Sequence, residues 1–288
     1  MSLPDLLPRG LLLLPLFLLA CGRDEKPPEQ PKAEVREAQV RVEASDDRVR
    51  FLLDSPKAYP VTVTLRVRSN NLQGSQRLPY VRSVQSARDE FLFELQRSDA
   101  ARPYDYSYKL RWQCGDKRAV HDSRQVYRLP YADGDAHELI QGPGGSYSHQ
   151  DASYHAYDFE MPEGTEVLAA RAGVVCATKA DSNIGGPDHR YDNDANYVAV
   201  VHNDGTVGWY LHLRKEGASV YPGDVVTVGQ RLGYSGNTGY SARPHLHFQV
   251  HRPLNGEAFR SLQIRITTDR GVFEAMETGE RYRAVAPP

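Results

Sequence analysis

Hydrophobic and polar residues alternate along most of the chain that follows residue 38. This alternation is typical of β-strands, because successive side chains of a strand point to opposite faces of the sheet. It is clearest in residues 61–68, 91–95 and 104–112, and turn-forming Asn, Gly and Asp residues separate these runs. Residues 38–132 are therefore predicted to form a small all-β sandwich of the immunoglobulin-like kind.

The last of these runs carries a stripe of large side chains, which are Tyr104, Tyr106, Tyr108, Leu110 and Trp112. Such a stripe can stack against sugars, but strict alternation is more often that of half a sandwich core. We expect the stripe to belong to the core. The sandwich is then expected to serve in spacing, autoregulation or substrate docking.

Two later runs place histidines on strands. In residues 244–250, apolar residues alternate with His245 and His247, so both imidazoles are predicted to share the polar face. Neighbours on one face of a strand lie roughly 6.6 Å apart, which lets one His bind a metal ion while the other lies beside it. In residues 209–213, Trp209 is predicted to face the core and His212 the polar face.

Composition limits the possible functions. The chain has 288 residues, 35 of them Lys or Arg and 37 Asp or Glu, and 40% are hydrophobic. These values suit two modest globular domains and argue against a disordered chain. The nearly balanced charge gives no reason to expect nucleic acid as a partner.

The N-terminus is predicted to be a lipoprotein-type signal peptide that covers residues 1–21. Its apolar run is too short for a membrane span, and it ends in Leu-Leu-Ala-Cys, which resembles a lipobox. Cleavage before Cys21 and acylation of this residue would anchor the protein to a membrane. Residues 22–37 are rich in Pro, Glu and Lys and are predicted to be a disordered linker.

Cysteine use is sparse beyond the predicted signal peptide. Cys114 follows the aromatic stripe, and Cys176 lies on a predicted strand of the second half. An oxidising compartment permits a disulfide, but a bond between separate domains is geometrically demanding. We therefore expect two buried free thiols.

Several ordered motifs between residues 145 and 251 resemble the lysostaphin/LytM family of zinc metallopeptidases. They are Asp158-Phe159, Gly164-Thr165-Glu166-Val167, Ala170-Arg171-Ala172-Gly173, Tyr210-Leu211-His212-Leu213, Tyr221-Pro222-Gly223-Asp224, Gly236-Asn237-Thr238-Gly239 and Pro244-His245-Leu246-His247-Phe248. The resemblance implies an antiparallel β-sheet peptidase domain over residues 133–252 and a C-terminal β-hairpin extension over residues 253–288. It extends to a subgroup that carries an N-terminal β domain.

The resemblance also implies one zinc ion (Zn²⁺) per chain, with His149, Asp158 and His247 as ligands. Three protein ligands leave the fourth position open, as in hydrolytic rather than structural zinc sites. The wider family has a His four residues before the Asp, where this chain has Tyr154, so both His149 and His155 are candidates. His155 is three residues from Asp158, so on a regular strand the two side chains would point to opposite faces of the sheet. The Ser-His pattern of the subgroup favours His149.

The same resemblance assigns His212 and His245 to catalysis, one as the base and both as stabilisers of the oxyanion. Spacing alone would let both His245 and His247 bind the metal. The loop at residues 181–195 is predicted to be polar and flexible and to form one wall of the substrate groove.

The implied function is a zinc metalloendopeptidase that hydrolyses peptide bonds of peptidoglycan stems or cross-links. The alternative is a non-catalytic LytM factor that activates a separate cell-wall amidase, although such proteins usually lose metal ligands. A lipoyl- or biotin-carrier module is disfavoured, because no Lys stands at a suitable hairpin tip. The expected location is the cell envelope facing the periplasm, at the outer membrane in an organism with two membranes, and a regulatory envelope protein is a further candidate partner.

Overall fold

The computed structural model describes residues 37–55, 58–85 and 87–286, so the predicted signal peptide and nearly all of the predicted linker lie outside the described residues. The described part is nearly all β, which confirms the predicted fold class. Its helical segments are two short 3-10 helices, Asp151–Ser153 and His189–Asp194. Among these residues, none of the helical segments has the length and apolar character that a membrane crossing requires.

The strands of the first half form a two-sheet sandwich. They are β1 (Gln39–Ala44), β2 (Arg48–Asp54), β3 (Pro60–Asn70), β4 (Leu72–Gln73), β5 (Tyr80–Gln85), β6 (Glu90–Arg97) and β7 (Asp105–Cys114). One sheet has the order β1-β2-β6-β4 and the other the order β5-β3-β7. Phe51, Val63 and Phe93 are buried in the apolar core of this sandwich.

The aromatic stripe of β7 lies along this core. Tyr104, Tyr106, Leu110 and Trp112 are partly buried and pack against it, as expected for a core stripe. Tyr108 differs, because 44% of its surface is exposed.

The remaining strands build a larger sheet and two small ones. They are β8 (Val126–Arg128), β9 (Ala136–Gln141), β10 (Tyr157–Glu160), β11 (Glu166–Leu168), β12 (Gly173–Lys179), β13 (Gly185–Gly186), β14 (Asn196–Val201), β15 (Val207–Ala218), β16 (Val225–Val226), β17 (Arg231–Ser235), β18 (Gly239–Tyr240), β19 (His245–Pro253), β20 (Phe259–Ser261), β21 (Arg265–Thr268), β22 (Gly271–Phe273) and β23 (Arg281–Arg283). The main path through the large sheet is β16-β12-β14-β15-β19-β10-β9-β23, and β11, β17 and β20 pair at its margins.

The central strands of the large sheet have two chemically different faces. Tyr210 lies opposite Phe248, and both are fully buried in the main apolar core. Trp209 lies opposite Gln249 and Leu211 opposite His247, so these side chains share the other face. We call this second face, which carries Trp209, Leu211, His247 and Gln249, the site face.

The predicted orientation of residues 209–213 is therefore wrong for Trp209 and Leu211, whereas Leu213 lies in the core as its place in the alternation predicts. Trp209 and Leu211 are half-buried on the site face, whereas Tyr210 fills the core and its hydroxyl accepts a hydrogen bond from the amide of Ala170. A Tyr side chain can lie in a core when its hydroxyl group has a hydrogen-bond partner. The prediction counted Tyr210 as polar and therefore assigned it to the wrong face of β15.

The sandwich packs against one end of the site face. Val201 and Val207 of the large sheet belong to the same apolar cluster as the sandwich core. The approach is close at Gly115, where a Cβ atom would lie 2.7 Å from a methyl group of Val207 and 2.8 Å from the carbonyl oxygen of Gly205. Gly115 also has a φ of +96°, so two independent constraints require glycine there.

A disulfide joins Cys114 to Cys176 across this contact, so the prediction of two free thiols is wrong. The Cα atoms of the two residues are 6.3 Å apart, within the usual range of about 4.4–6.8 Å for disulfides. The prediction failed because it treated the two halves as separate bodies. Their tight packing places the end of β7 beside β12.

The C-terminal segment is part of the large core. Strands β21 and β22 form a hairpin, β21 pairs in parallel with β8, and β23 pairs with β9. Ile264, Ile266 and Tyr282 are buried in the main apolar cluster. Strand β20 pairs with β19, and this pairing brings Phe259 to the site face.

Candidate metal centre

Two neighbouring strands supply the first pair of candidate ligands. The antiparallel register of β10 and β19 places Asp158 directly opposite His247, so both side chains leave the same face. Nδ1 of His247 lies 2.8 Å from Oδ1 of Asp158. The alternation predicted for residues 244–250 is confirmed, because Leu246 and Phe248 are fully buried in the core on the opposite face.

His149 reaches the same point from the loop between β9 and β10. It is fully buried, and its Nδ1 lies 2.9 Å from the carbonyl oxygen of Gly142. Since a carbonyl only accepts, Nδ1 carries the proton and Nε2 presents its lone pair. That Nε2 atom lies 3.0 Å from Oδ1 of Asp158 and 3.3 Å from Nδ1 of His247.

The chemistry of these three atoms fits a metal ion. The candidate ligand atoms of His149, Asp158 and His247 all lie within 4.8 Å of one another. On His247, Nε2 lies 3.4 Å from Oε1 of Gln249, and a proton held there leaves Nδ1 as a lone-pair donor. Three electron-rich atoms that face one another in a buried site can hold a metal ion, whose positive charge would offset their mutual repulsion.

The ionisation of Asp158 suits this arrangement. Burial would raise the pKa of its carboxyl group, but positive charge on the nearby His247 and hydrogen bonds from His149 and His247 hold the pKa well below its usual value when these rings carry the protons. A metal ion held in place of those protons would act in the same direction. Asp158 is therefore a carboxylate at neutral pH. A carboxylate with two imidazoles is a ligand set found in hydrolytic zinc sites.

Gln141 positions two parts of the centre at once. Its Nε2 donates to Oδ2 of Asp158 at 2.9 Å and to the hydroxyl of Ser148 at 2.8 Å, and its Oε1 accepts from the amide of Tyr147 at 3.0 Å. A Cβ atom on Gly145 would lie 2.2 Å from Cγ of Gln141, so the glycine-rich loop leaves room for this side chain. Sequence reasoning missed Gln141, because nothing in the motif spacing distinguishes it.

His212 and His245 lie beside the three candidate ligands. Their rings are 4.6 Å apart, and Nε2 of His245 lies 3.7 Å from Oδ1 of Asp158. Nδ1 of His212 is 2.7 Å from the carbonyl oxygen of Thr238, and Nδ1 of His245 is 2.8 Å from that of Arg243. These carbonyls fix the protons on Nδ1, so both Nε2 atoms carry lone pairs.

Both rings are neutral at physiological pH. Burial, with the nearby His245 and His247, lowers the pKa of His212 to about 3. Burial also lowers the pKa of His245. Neutral imidazoles with free Nε2 atoms can accept protons.

A β-bulge brings His212 into the site. Leu211 pairs with Tyr197 and Leu213 with Asn196, so His212 is an extra residue between two paired positions. Its φ of +65° lies in the left-handed region, which is uncommon for a residue other than glycine. The bulge turns the side chain of His212 toward His245 instead of into the core.

A cavity of about 600 Å³ opens onto the centre. Trp209, Leu211 and Phe259 form apolar parts of its lining, while Arg243 and Asp192 add charges of opposite sign. Phe259 lies far along the sequence from the motifs, which is why sequence reasoning missed it.

Two stacked Tyr rings line this cavity, and a His ring stacks on one of them. Tyr147 and Tyr240 lie face to face with centroids 5.0 Å apart, and His189 stacks on Tyr240 at 4.3 Å. The segment 181–195 supplies His189 and contributes Asp192 to the lining, so it borders the cavity, and its role as a wall of the substrate groove stays a prediction. The segment contains β13 and a 3-10 helix.

The structure brings together the five residues that the sequence singled out, His149, Asp158, His212, His245 and His247. The other candidate for the first ligand, His155, is not in the group. Its ring packs 4.9 Å from that of Tyr154.

A nearly all-β fold with two His and one Asp around one point defines a protein with a candidate metal centre of the hydrolytic type. Residues 152–261 match the sequence profile of peptidase family M23, so the chain carries a domain of this family. The resemblance to lysostaphin/LytM-type peptidases is thereby confirmed.

Individual relatives match the same region. Lysostaphin of Staphylococcus simulans is 41% identical over 97 residues, which are 33% of this chain and 17% of that protein. The peptidoglycan DD-endopeptidase ShyA of Vibrio cholerae is 39% identical over 107 residues, 36% of this chain and 22% of that protein. The crystallised catalytic domain of lysostaphin is 29% identical, with a TM-score of 0.30, over 46% of this chain and 88% of that domain. The chain thus spans about a fifth of the length of these two curated relatives.

Proposed function

We propose that the protein is a zinc-dependent metalloendopeptidase that hydrolyses peptide bonds in peptidoglycan stems or cross-links. One observation carries the proposal: His149, Asp158 and His247 converge on one point at the floor of an open cavity. A closed structural site would use a fourth protein ligand instead of facing a cavity.

In this proposal His149 Nε2, Asp158 Oδ1 and His247 Nδ1 hold the zinc ion. Bound there, Zn²⁺ would act as a Lewis acid toward a peptide carbonyl and a water molecule. Nε2 of His245 or of His212 accepts the proton of the attacking water, and the resulting imidazolium stabilises the negative charge that develops on the carbonyl oxygen. Burial keeps both rings in the neutral form, in which Nε2 has a free lone pair.

Peptidoglycan is proposed as the substrate because one relative is named a peptidoglycan DD-endopeptidase. Another relative, from Staphylococcus capitis, is named a glycyl-glycine endopeptidase and is 41% identical over 98 residues, which supports the cleavage of a peptide bond. The site of action would then be the cell envelope. The lipid anchor on Cys21, a location facing the periplasm and a regulatory envelope partner remain predictions from the sequence.

The test is digestion of purified sacculi by the full chain, with zinc added or chelated. The expected result is a zinc-dependent loss of cross-linked muropeptides that is abolished in the His247→Ala and His149→Ala variants. His155→Ala is the matched control, because His155 has the same side chain, lies six residues from His149 and is outside the ligand group. It should retain both bound metal and activity.

Zinc-loaded protein that leaves every cross-link intact would refute the proposal. Stimulation of a separate cell-wall amidase by that same inactive protein would support the alternative of a non-catalytic activator. Activity that survives in His149→Ala but not in His155→Ala would reassign the first ligand.

A further inference from the structure

A second cavity, of about 450 Å³, lies between the sandwich and the large sheet. We call it the aromatic cleft and define it by Trp112 of β7, Tyr197 of β14 and Trp209 of β15. All three side chains are partly exposed, so the rings are accessible from solvent. Its volume lies within the range of roughly 300–1,000 Å³ that is usual for small-molecule sites.

The aromatic cleft adjoins the cavity at the candidate metal centre. Trp209 lines both cavities. Along β15, Trp209 lies two residues from Leu211, which is paired with His247, so the cleft begins roughly 7 Å from the centre along the strand. A ligand that fills the cavity at the metal centre can therefore extend over Trp209 into the cleft.

The rings of the cleft are arranged as a platform. Tyr197 and Trp209 are stacked with centroids 6.0 Å apart and an interplanar angle of 25°. Trp112 lines the cleft from the sandwich side. Flat aromatic surfaces of this kind pack against the C–H faces of pyranose rings, whose hydroxyl and amide groups then bond to polar neighbours.

The polar groups of the cleft suit a neutral ligand. Among the described lining residues there is no Lys or Arg, and the one carboxylate is that of Glu37. This charge pattern disfavours phosphate and other anions. Thr178 offers a hydroxyl group, and His251, which is 1% exposed, has an Nδ1 atom without a hydrogen-bond partner.

We propose that the aromatic cleft binds an N-acetylated hexosamine of a glycan strand while the peptide attached to that strand occupies the metal centre. The inference rests on the proposed function for the identity of the sugar. It goes further by making the junction of the sandwich and the large sheet a glycan subsite.

Tryptophan fluorescence provides a direct test, because the chain has only two Trp residues and both line the cleft. The full chain is titrated with oligomers of N-acetylglucosamine and with glycan strands freed of peptide. A saturable change in emission is expected for both ligands. Cello-oligosaccharides, which lack the acetamido group, should bind at least tenfold more weakly.

The variants separate the stacking contact from general surface effects. Tyr197→Ala should weaken glycan binding at least tenfold, and Tyr197→Phe should preserve it. Tyr108→Ala, which alters a partly exposed Tyr outside the cleft, is the matched control and should bind like wild type. Thermal unfolding of each variant shows whether it is folded.

Glycan binding needs no metal, so His247→Ala should bind as wild type does. Glycan binding without hydrolysis would support the glycan subsite and refute the proposed enzymatic function. Hydrolysis without glycan binding would support the enzymatic function and refute the glycan subsite. The absence of a saturable emission change in the wild-type protein overturns the inference even if Tyr197→Ala does not fold. Equal binding of cello-oligosaccharides overturns the assignment to N-acetylated sugars.

Discussion

Gln141 donates a hydrogen bond to Oδ2 of Asp158, and this leaves Oδ1 to face His149 and His247. The same amide side chain bonds to Ser148 and to the backbone of Tyr147. One residue therefore orients the carboxylate and holds the loop that delivers His149.

Replacing Gln141 with Ala should lower zinc affinity about 10–100-fold, the usual effect of removing a group that orients a ligand. Competition with a chromogenic chelator measures this affinity. Gln150→Ala is the matched control, because Gln150 is exposed and follows His149 in the loop after β9, and its side chain bonds only to the backbone of Ser146 among the described residues. Unchanged affinity in Gln141→Ala would show that the loop orders itself without Gln141.

His212→Ala and His245→Ala should each reduce kcat on sacculi about 10²–10⁴-fold, the usual contribution of a general acid or base. Each variant should still bind one zinc ion per chain, measured by elemental analysis. His247→Ala should lose the metal. If His245→Ala lost its zinc instead, His245 would be a ligand, as its 3.7 Å distance to Asp158 allows.

The disulfide between Cys114 and Cys176 should stabilise the folded chain. Its partners are 62 residues apart in sequence, so opening it should lower the free energy of unfolding by about 2–4 kcal/mol. Urea unfolding with and without reductant measures the change. Reductant should have no such effect on a variant with both residues replaced by Ser, and an unchanged midpoint in the wild type would contradict the prediction.

Two buried histidines should make stability depend on pH. Burial lowers the pKa of His202 to about 4 and that of His251 to about 3, from 6.5. Between these values and 6.5 the unfolded chain binds more protons than the folded chain, so stability falls as the pH decreases. Each histidine should contribute a slope of about 1.4 kcal/mol per pH unit in that window.

His251→Phe tests this slope, because His251 packs between Trp209 and Phe259 with ring centroids 4.8 and 4.7 Å away. A phenyl ring fits such an aromatic setting and does not titrate. Urea midpoints at pH 7, 6 and 5 should decline less steeply in this variant than in the wild type. His189→Phe, at an exposed position, should leave the decline unchanged, and equal slopes for both variants would refute the prediction.

The sequence predicted the ligand strands well because β19 obeys a strict alternation. Leu246 and Phe248 fill the core, which fixes the direction of His245 and His247. The sequence-based prediction failed on β15, where the alternation placed Trp209 in the core. The bulge at His212 shifts the phase of the strand by one residue, and a pattern of polarity carries no signal for such a shift.

Other features depend on contacts between distant parts of the chain. The disulfide requires the packing of the sandwich on the large sheet, and Phe259 reaches the cavity only through the pairing of β20 with β19. The hydrogen bond from Gln141 to Asp158 could not be predicted either, because it joins residues of two different strands that only the fold brings together.

The metal centre and the contact with the sandwich both lie on the site face of the large sheet. The two ends of this face therefore have different surroundings. Beyond Trp209 the strands run beneath β7, where Val201 and Val207 are already covered. Toward Arg243 and Ser148 the cavity lining comes from loops and strand ends of the second half alone. The sandwich therefore borders one end of the site face and leaves the other end to the second half alone, so different parts of the chain line the two approaches to the centre.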